Sequence, residues 1–277
     1  MALSARELWR ILEPVHGMIY FVPEAQERFA ALGLDRMAGY FASRAAALGP
    51  VSGEVVVATF YNFNPVIVHA AVPAAWSVTT PAALVEARYE AVGAALRRGL
   101  GELADDVSEL AGLVRGAAER ACEVPQGRPL FAAHAALAWP EDPLLVLWHG
   151  QTLLREFRGD GHVAALLLEG LSGIEALVVH AASGEVSAEA LRRSRGWSEA
   201  EWADAVEGLR SRGVLDAEGG LSEAGLAVRA RVEGLTDSAA EVAYAGLGEG
   251  ERERFVELAR PLSRAVVASG MLPFAKR

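Results

Sequence analysis

The stretch Arg155-Glu156-Phe157-Arg158-Gly159-Asp160-Gly161-His162 sets five ionisable side chains and two glycines between two largely apolar runs, Leu144 to Leu154 and Val163 to Leu168. Charge in such surroundings is costly unless it is paired or used. Gly159 and Gly161 open backbone angles closed to other residues. The pattern therefore predicts a turn there, where a long helix hands over to a second module. Two readings of the stretch compete. In one, Asp160 caps a helix beginning near His162, and Glu156 and Arg158 are solvated. In the other, Glu156, Arg158, Asp160 and His162 converge on a pocket. Helical spacing puts Trp148, Thr152 and Glu156 on one face.

Composition narrows the classes. A hydrophobic fraction of 52% over 277 residues supports a sizeable core and, by length, two domains. The formal net charge of −10 argues against generic affinity for nucleic acid or anionic membranes. A single cysteine, Cys122, excludes an internal disulfide, and a reducing cytoplasm is expected. No apolar run reaches the length of a membrane span. Met1-Ala2-Leu3-Ser4 lacks the basic start of a signal peptide. No CxxC pair, Walker loop or GxGxxG fingerprint occurs, so no motif names a cofactor.

Helix signals run through the first half. Ser4-Ala5-Arg6-Glu7 reads as a capping box, opening a helix expected to break at Pro14. Helices follow from Pro23, from Asp35 to Leu48, from Asn64-Pro65 and from Thr80-Pro81 to about Leu100, then over about Val107 to Cys122. Val55 to Tyr61 reads as strand or buried helix. Asp142-Pro143 opens the helix that leads into the charged stretch. Beyond it, Gly173 to Ala182, Val186 to Leu191 and Glu199 to Arg212 read as three helices. Val214-Leu215-Asp216, a tight Ala217-Glu218-Gly219-Gly220 turn and a long helix from Leu221-Ser222-Glu223 complete a winged-helix plan.

The run Leu209-Arg210-Ser211-Arg212-Gly213-Val214-Leu215-Asp216, with Leu221-Ser222-Glu223-Ala224-Gly225, resembles the MarR family of winged-helix regulators. Gly246-Leu247-Gly248-Glu249-Gly250-Glu251-Arg252 resembles the opening of a MarR dimerisation helix. This resemblance covers about Leu144 to Ala268. The whole chain, with Arg158-Gly159-Asp160-Gly161-His162-Val163-Ala164-Ala165-Leu166, also resembles a family of actinobacterial helix-turn-helix proteins that supplies no established activity.

The two halves resemble each other. Val15-His16-Gly17 matches Trp148-His149-Gly150, and Phe29-Ala30-Ala31-Leu32 matches Val163-Ala164-Ala165-Leu166. Gly39 then matches Gly173, and Val51-Ser52 matches Val186-Ser187. The offset drifts one residue at a time, as short loop insertions would make it. The expected fold is mainly α, with two winged-helix (MarR-like) units forming a pseudo-dimer with a minimal β wing. The boundaries are 1–140 for a degenerate first repeat and 141–277 for a second. A groove on the pseudo-twofold axis would hold a small-molecule ligand or substrate, in a monomer or a homodimer.

In a winged helix, the third helix enters the major groove and basic residues anchor it to phosphate. Here that helix opens Ser198-Glu199-Ala200-Glu201-Trp202-Ala203-Asp204, the wing carries Glu218, and the first-half counterpart from Asn64 to Ala71 has no Lys or Arg. Arg192, Arg193 and Arg195 are the counter-evidence. The balance is against specific DNA binding.

Among the six histidines, His69, His134 and His180 sit in apolar helices and read as core or surface. His16 and His149 are repeat equivalents. His162 has no histidine counterpart, and an asymmetric feature on a symmetric scaffold is where function is expected. His162, Asp160 and Glu156 are the candidate acid–base centre, because imidazole titrates near neutrality and a carboxylate fixes its tautomer. His16, Tyr20, Tyr61, Asn62, Trp148, His149, Thr152 and Arg158 are the candidate ligand contacts. No HExxH-type spacing supports a metal. Two function classes remain: a small-molecule-binding protein or enzyme that has lost DNA binding, and a ligand-responsive MarR-like regulator.

Overall fold

Side-chain caps and proline punctuation set where most helices begin. In the computed structural model, which describes residues 3–273, α1 (Ala5–Gly17) opens on the capping box of Ser4 and Glu7. Then follow α2 (Pro23–Ala31), α3 (Arg36–Ala45), capped by Asp35, α4 (Gly53–Phe60) and α5 (Pro65–Val78). Thr80 caps α6 (Pro81–Leu100), with proline in its first turn. The remainder are α7 (Ser108–Cys122), α8 (Pro129–Ala135), α9 (Pro143–Leu168), α10 (Gly173–Ala182), α11 (Ala188–Ser194), α12 (Glu199–Ser211), α13 (Glu223–Tyr244) and α14 (Glu249–Ala268). Among the described residues the one β pairing is an isolated antiparallel bridge, Leu215 to Leu221. No single described helix is long and apolar enough to cross a membrane. Met1 and Ala2, part of the signal-peptide reading, lie outside the described residues.

Several expectations need correction. The turn at Gly159–Gly161 does not form, and α9 runs unbroken from Pro143 to Leu168. Glycine permits a turn but does not impose one. A helical glycine costs roughly 1 kcal/mol against alanine, which the surrounding burial outweighs. Asp160 therefore cannot cap a helix starting near His162. Pro14 does not break α1 either, which continues to Gly17. The ambiguous segment Val55 to Tyr61 is the body of helix α4, closed after Phe60 by Tyr61, whose φ is 50°.

The chain divides into two compact units interleaved in sequence, which differ from the halves 1–140 and 141–277. One comprises Met1–Pro50, Ala74–Asp160 and Asp237–Arg277; the other Val51–Pro73 and Gly161–Thr236. The first is built on apolar faces of α1, α6, α7, α9 and α14, with Leu8, Leu12, Leu96, Leu147, Phe157 and Phe255 fully or almost fully buried. From Val146 to Gly161 only Arg155 and Gly159 keep partial exposure. A helix covered on all sides is a core helix, so its polar side chains must find partners inside the protein. The second unit packs Leu166, Leu171, Val178, Val179 and Leu209 beneath the Leu215–Leu221 bridge.

Close approach fixes one glycine in the second unit. A Cβ on Gly173 would run into the Tyr61 carbonyl. Gly173→Ala should destabilise the protein by about 1–3 kcal/mol, the usual cost of overpacking. Gly112→Ala, in α7 where a Cβ meets nothing, should stabilise it by about 0.5–1 kcal/mol. Urea unfolding of both variants checks the pair; equal effects would contradict the packing of Gly173 on Tyr61.

Candidate functional site

The first compact unit holds a buried polar cluster, assembled by α1, α3, α6 and α9. His16, on α1, is 0% exposed and lies flat on Trp148 of α9, ring centroids 5.3 Å apart and planes within 3°. Arg88, on α6, sets its guanidinium 5.3 Å from the same indole and donates from Nη1 to the Ser43 carbonyl at 2.8 Å. The Tyr89 hydroxyl and His149 Nδ1 are 2.7 Å apart. Thr152 Oγ1 donates to the Trp148 carbonyl at 2.9 Å. Arg155 donates to Glu156 at 2.9 Å and to Glu13 at 3.0 Å. Arg44 donates to the Tyr40 hydroxyl and lies 5.5 Å from the centre of the Tyr20 ring. Ser43, Arg88, Tyr89, His134, Trp148, His149 and Thr152 line a cavity of about 10 Å³.

Burial sets the protonation states. It pushes His16 well below the ordinary histidine range, with Arg155 and Arg88 adding to the effect. His134 falls to about 3 and His149 to about 4, again chiefly through burial. The imidazoles are therefore neutral at pH 7. Burial alone would raise Glu156, but Arg155 and Arg44 outweigh it and hold the carboxyl below its usual value. Burial also carries the Tyr89 phenol up to about 12.

The candidate residues fall into separate groups. His16, Tyr20, Trp148, His149, Thr152 and Glu156 belong to this cluster. Arg158 is in the same unit but bonds Asp237 at 3.0 Å and lies over the Trp9 ring at 4.4 Å. Asp160 accepts the Phe131 amide hydrogen at 2.9 Å, capping α8 rather than any helix after it. Tyr61, Asn62 and His162 are in the second unit. There His162 Nδ1 is 3.0 Å from Thr236 Oγ1, and His162 and Asn62 line a cavity of about 80 Å³ with His180, Arg229 and Glu233. Tyr61 donates its hydroxyl to the Leu171 carbonyl. Glu156, Arg158, Asp160 and His162, expected to share a single pocket, thus go to four local arrangements. Among the described residues, no group of three His, Cys, Asp or Glu side chains is placed to hold a metal ion.

Sequence reasoning passed over Arg44, Arg88 and Tyr89, read His134 as core or surface, and quoted Arg155 only as part of the charged stretch. Arg88 carried a signal: Leu84 and Val92 flank it at one helical turn, which places a guanidinium on an apolar face.

A helix-turn-helix family model matches residues 5–273. The chain belongs to this helix-turn-helix family. No curated protein and no solved structure matches it. The mainly helical build agrees with a helix-turn-helix fold, which is of the DNA-binding type. Fold membership does not assign a reaction, because function resides in sites built on a fold.

Asp160 yields a test that does not depend on function. Burial raises its pKa from 3.8 to about 6, although the Phe131 and Leu130 amides oppose the rise. The folded state therefore holds this proton more tightly than the unfolded chain. Stability falls as pH climbs from about 4 through 6, by up to about 3 kcal/mol. Asp160→Asn keeps an acceptor for the Phe131 amide and removes the titration. Its stability relative to wild type should rise between pH 4 and pH 6 and stay level above. Guanidinium unfolding at fixed pH values checks this; a difference independent of pH would refute it.

Proposed function

We propose that this helix-turn-helix protein binds a small molecule in the polar cluster of its first compact unit and does not read DNA through its helix-turn-helix segments. One observation carries the reading. His16 Nδ1 and Nε2, the Tyr20 hydroxyl, Trp148 Nε1, His149 Nε2 and Gln151 Oε1 are buried without a hydrogen-bond partner. Buried polar atoms are nearly always paired, and each exception calls for a water, a ligand or a function. Two of the residues that carry them, Trp148 and His149, line one cavity together with Thr152, and His16 stacks on Trp148 with Tyr20 edge-on to His16. An acid–base centre at His162, Asp160 and Glu156 has weaker support, because each is bonded to a structural neighbour.

Two features support loss of DNA reading. The exposed face of α12 carries Glu199, Glu201, Asp204 and Glu207, which phosphate repels. The openings of α5 and α12, the two candidate recognition helices, also meet: Asn64 Nδ2 donates to Glu201 at 3.1 Å. Paired recognition helices that read half-sites stand roughly 34 Å apart. The duplicated MarR-like scaffold belongs to the same reading. The order α3, α4, α5, α6, α7 parallels α10, α11, α12, α13, α14, with four residues before the third member in each series. The wing bridge lies between α12 and α13, whereas α5 and α6 are separated by two residues. A cytoplasmic setting fits the single cysteine. The second reading, a ligand-responsive regulator, draws its support from family membership.

The test is a thermal-shift screen of small polar metabolites against wild type and Thr152→Val. A ligand should raise the melting temperature of wild type and bind the variant at least several-fold more weakly, with little change in fold. A ligand indifferent to Thr152 would place the site elsewhere. In parallel, electrophoretic shifts on the protein's own promoter at about 50 mM salt should give no specific complex, since low salt favours every phosphate contact. A submicromolar, sequence-specific complex would establish the regulator instead.

A further inference from the structure

We infer that the cavity of the second compact unit is a separate binding site for a small zwitterion, an α-amino acid no larger than valine, held between Arg229 and Glu233 of α13. This goes beyond the first-unit reading and does not depend on it.

Charge is the first argument. The cavity is bounded by α9, α10, α13 and the loop after α4, all within the one unit. Its two fixed charges, Arg229 and Glu233, are opposite and stand one helical turn apart. Both act on His180: burial chiefly lowers its pKa, Arg229 adds to the fall and Glu233 opposes it. Arg229 Nη2 donates to the exposed Glu185 at 2.8 Å. A guanidinium has five N–H donors, however, and a carboxylate about four acceptor positions. Each can hold a ligand group besides a protein partner. A lone anion would meet Glu233, and a lone cation would meet Arg229. A carboxylate and an ammonium on one carbon match both.

Hydrogen bonding is the second argument. Asn62 and His180 line the cavity. Among the described residues, neither the Asn62 side-chain amide nor the His180 ring makes a hydrogen bond. His180 Nε2 stands 3.6 Å from Glu185, beyond hydrogen-bond reach. Asn62 is anchored through its backbone, whose carbonyl accepts from Trp197 Nε1 at 3.0 Å. Thr236 donates its hydroxyl to the Val232 carbonyl at 2.7 Å, so at 3.0 Å it accepts from His162 Nδ1 and orients that ring. The polar wall is thus ordered, and Leu166, Leu171 and Val179 supply an apolar one. Size is the third argument. About 80 Å³ is room for roughly five to eight water-sized spheres at about 10–15 Å³ each. The frames of glycine, alanine, serine and valine fit; phenylalanine and tryptophan exceed it.

The experiment is calorimetric titration of the full chain with glycine, alanine, serine and valine. At least one should bind saturably below about 10 mM. Propionate and ethylamine each keep one of alanine's two charges, and each should bind at least about tenfold more weakly than the best amino acid, the loss expected for a charge-assisted hydrogen bond. Phenylalanine should not bind. Arg229→Gln and Glu233→Gln should each weaken the best amino acid by at least about tenfold. Ala176→Leu, which fills the cavity, should abolish its binding. Should these variants not fold, the wild-type series decides. No binding by any of the four amino acids, propionate, ethylamine or phenylalanine binding as tightly as the best of them, or undiminished binding in folded Ala176→Leu would each overturn the inference. An amino acid lost in Thr152→Val and kept in Ala176→Leu would overturn it and leave the first-unit reading standing.

Discussion

Helix α9 cannot expose its polar side chains, and most of the first unit's polar chemistry answers to that constraint. Between Val146 and Gly161 it is covered on nearly every side, yet it carries His149, Gln151, Thr152, Arg155, Glu156, Arg158 and Asp160. Each must be met by a neighbour or left at a cost. Arg155 meets Glu156 and Glu13; Arg158 meets Asp237; Asp160 meets the first amides of α8. These contacts tie α9 to α1, α8 and α13 by charge as well as by apolar packing. Where no neighbour answers, at His149 Nε2 and Gln151 Oε1, the structure carries unmet polar capacity, and the first of these belongs to the candidate site.

The aromatic groups translate that constraint into geometry. Trp148 is sandwiched by chemistry rather than by apolar packing alone, with the neutral His16 ring parallel to it and the Arg88 guanidinium near its face. A guanidinium over an indole keeps some electrostatic stabilisation where water is excluded. The same exclusion keeps His16, His134 and His149 uncharged, since imidazolium beside three arginines in a dry interior would be doubly penalised. The positive charge of the cluster thus sits on its arginines, and its histidines are neutral.

Much of the local structure was legible in the sequence because local interactions decide it. Ser4, Asp35, Thr80 and Ser198 cap the helices where short side-chain oxygens precede helical runs, and Pro65, Pro81 and Pro143 stand in first turns. The face shared by Trp148, Thr152 and Glu156 also follows from helical spacing alone. The site was only partly legible. His16, Trp148, His149 and Thr152 stood out through the internal repeat and the neighbouring charges. Arg88 and Tyr89 lay in an alanine-rich helix without a motif, and Arg44 likewise.

The sequence by itself determined that the chain is helical, where most helices start, and that charge is set into apolar surroundings near Arg155 to His162. Capping, proline placement and residue spacing act over a few positions and need no partner segment. Only the tertiary structure decided that Gly159 and Gly161 stay helical, because the preference depends on what covers α9 and not on the glycines. It alone decided that Asp160 caps α8, that His162 turns to Thr236, and that Arg88 reaches Trp148. Those contacts join residues far apart in sequence, and no local rule links one to the other.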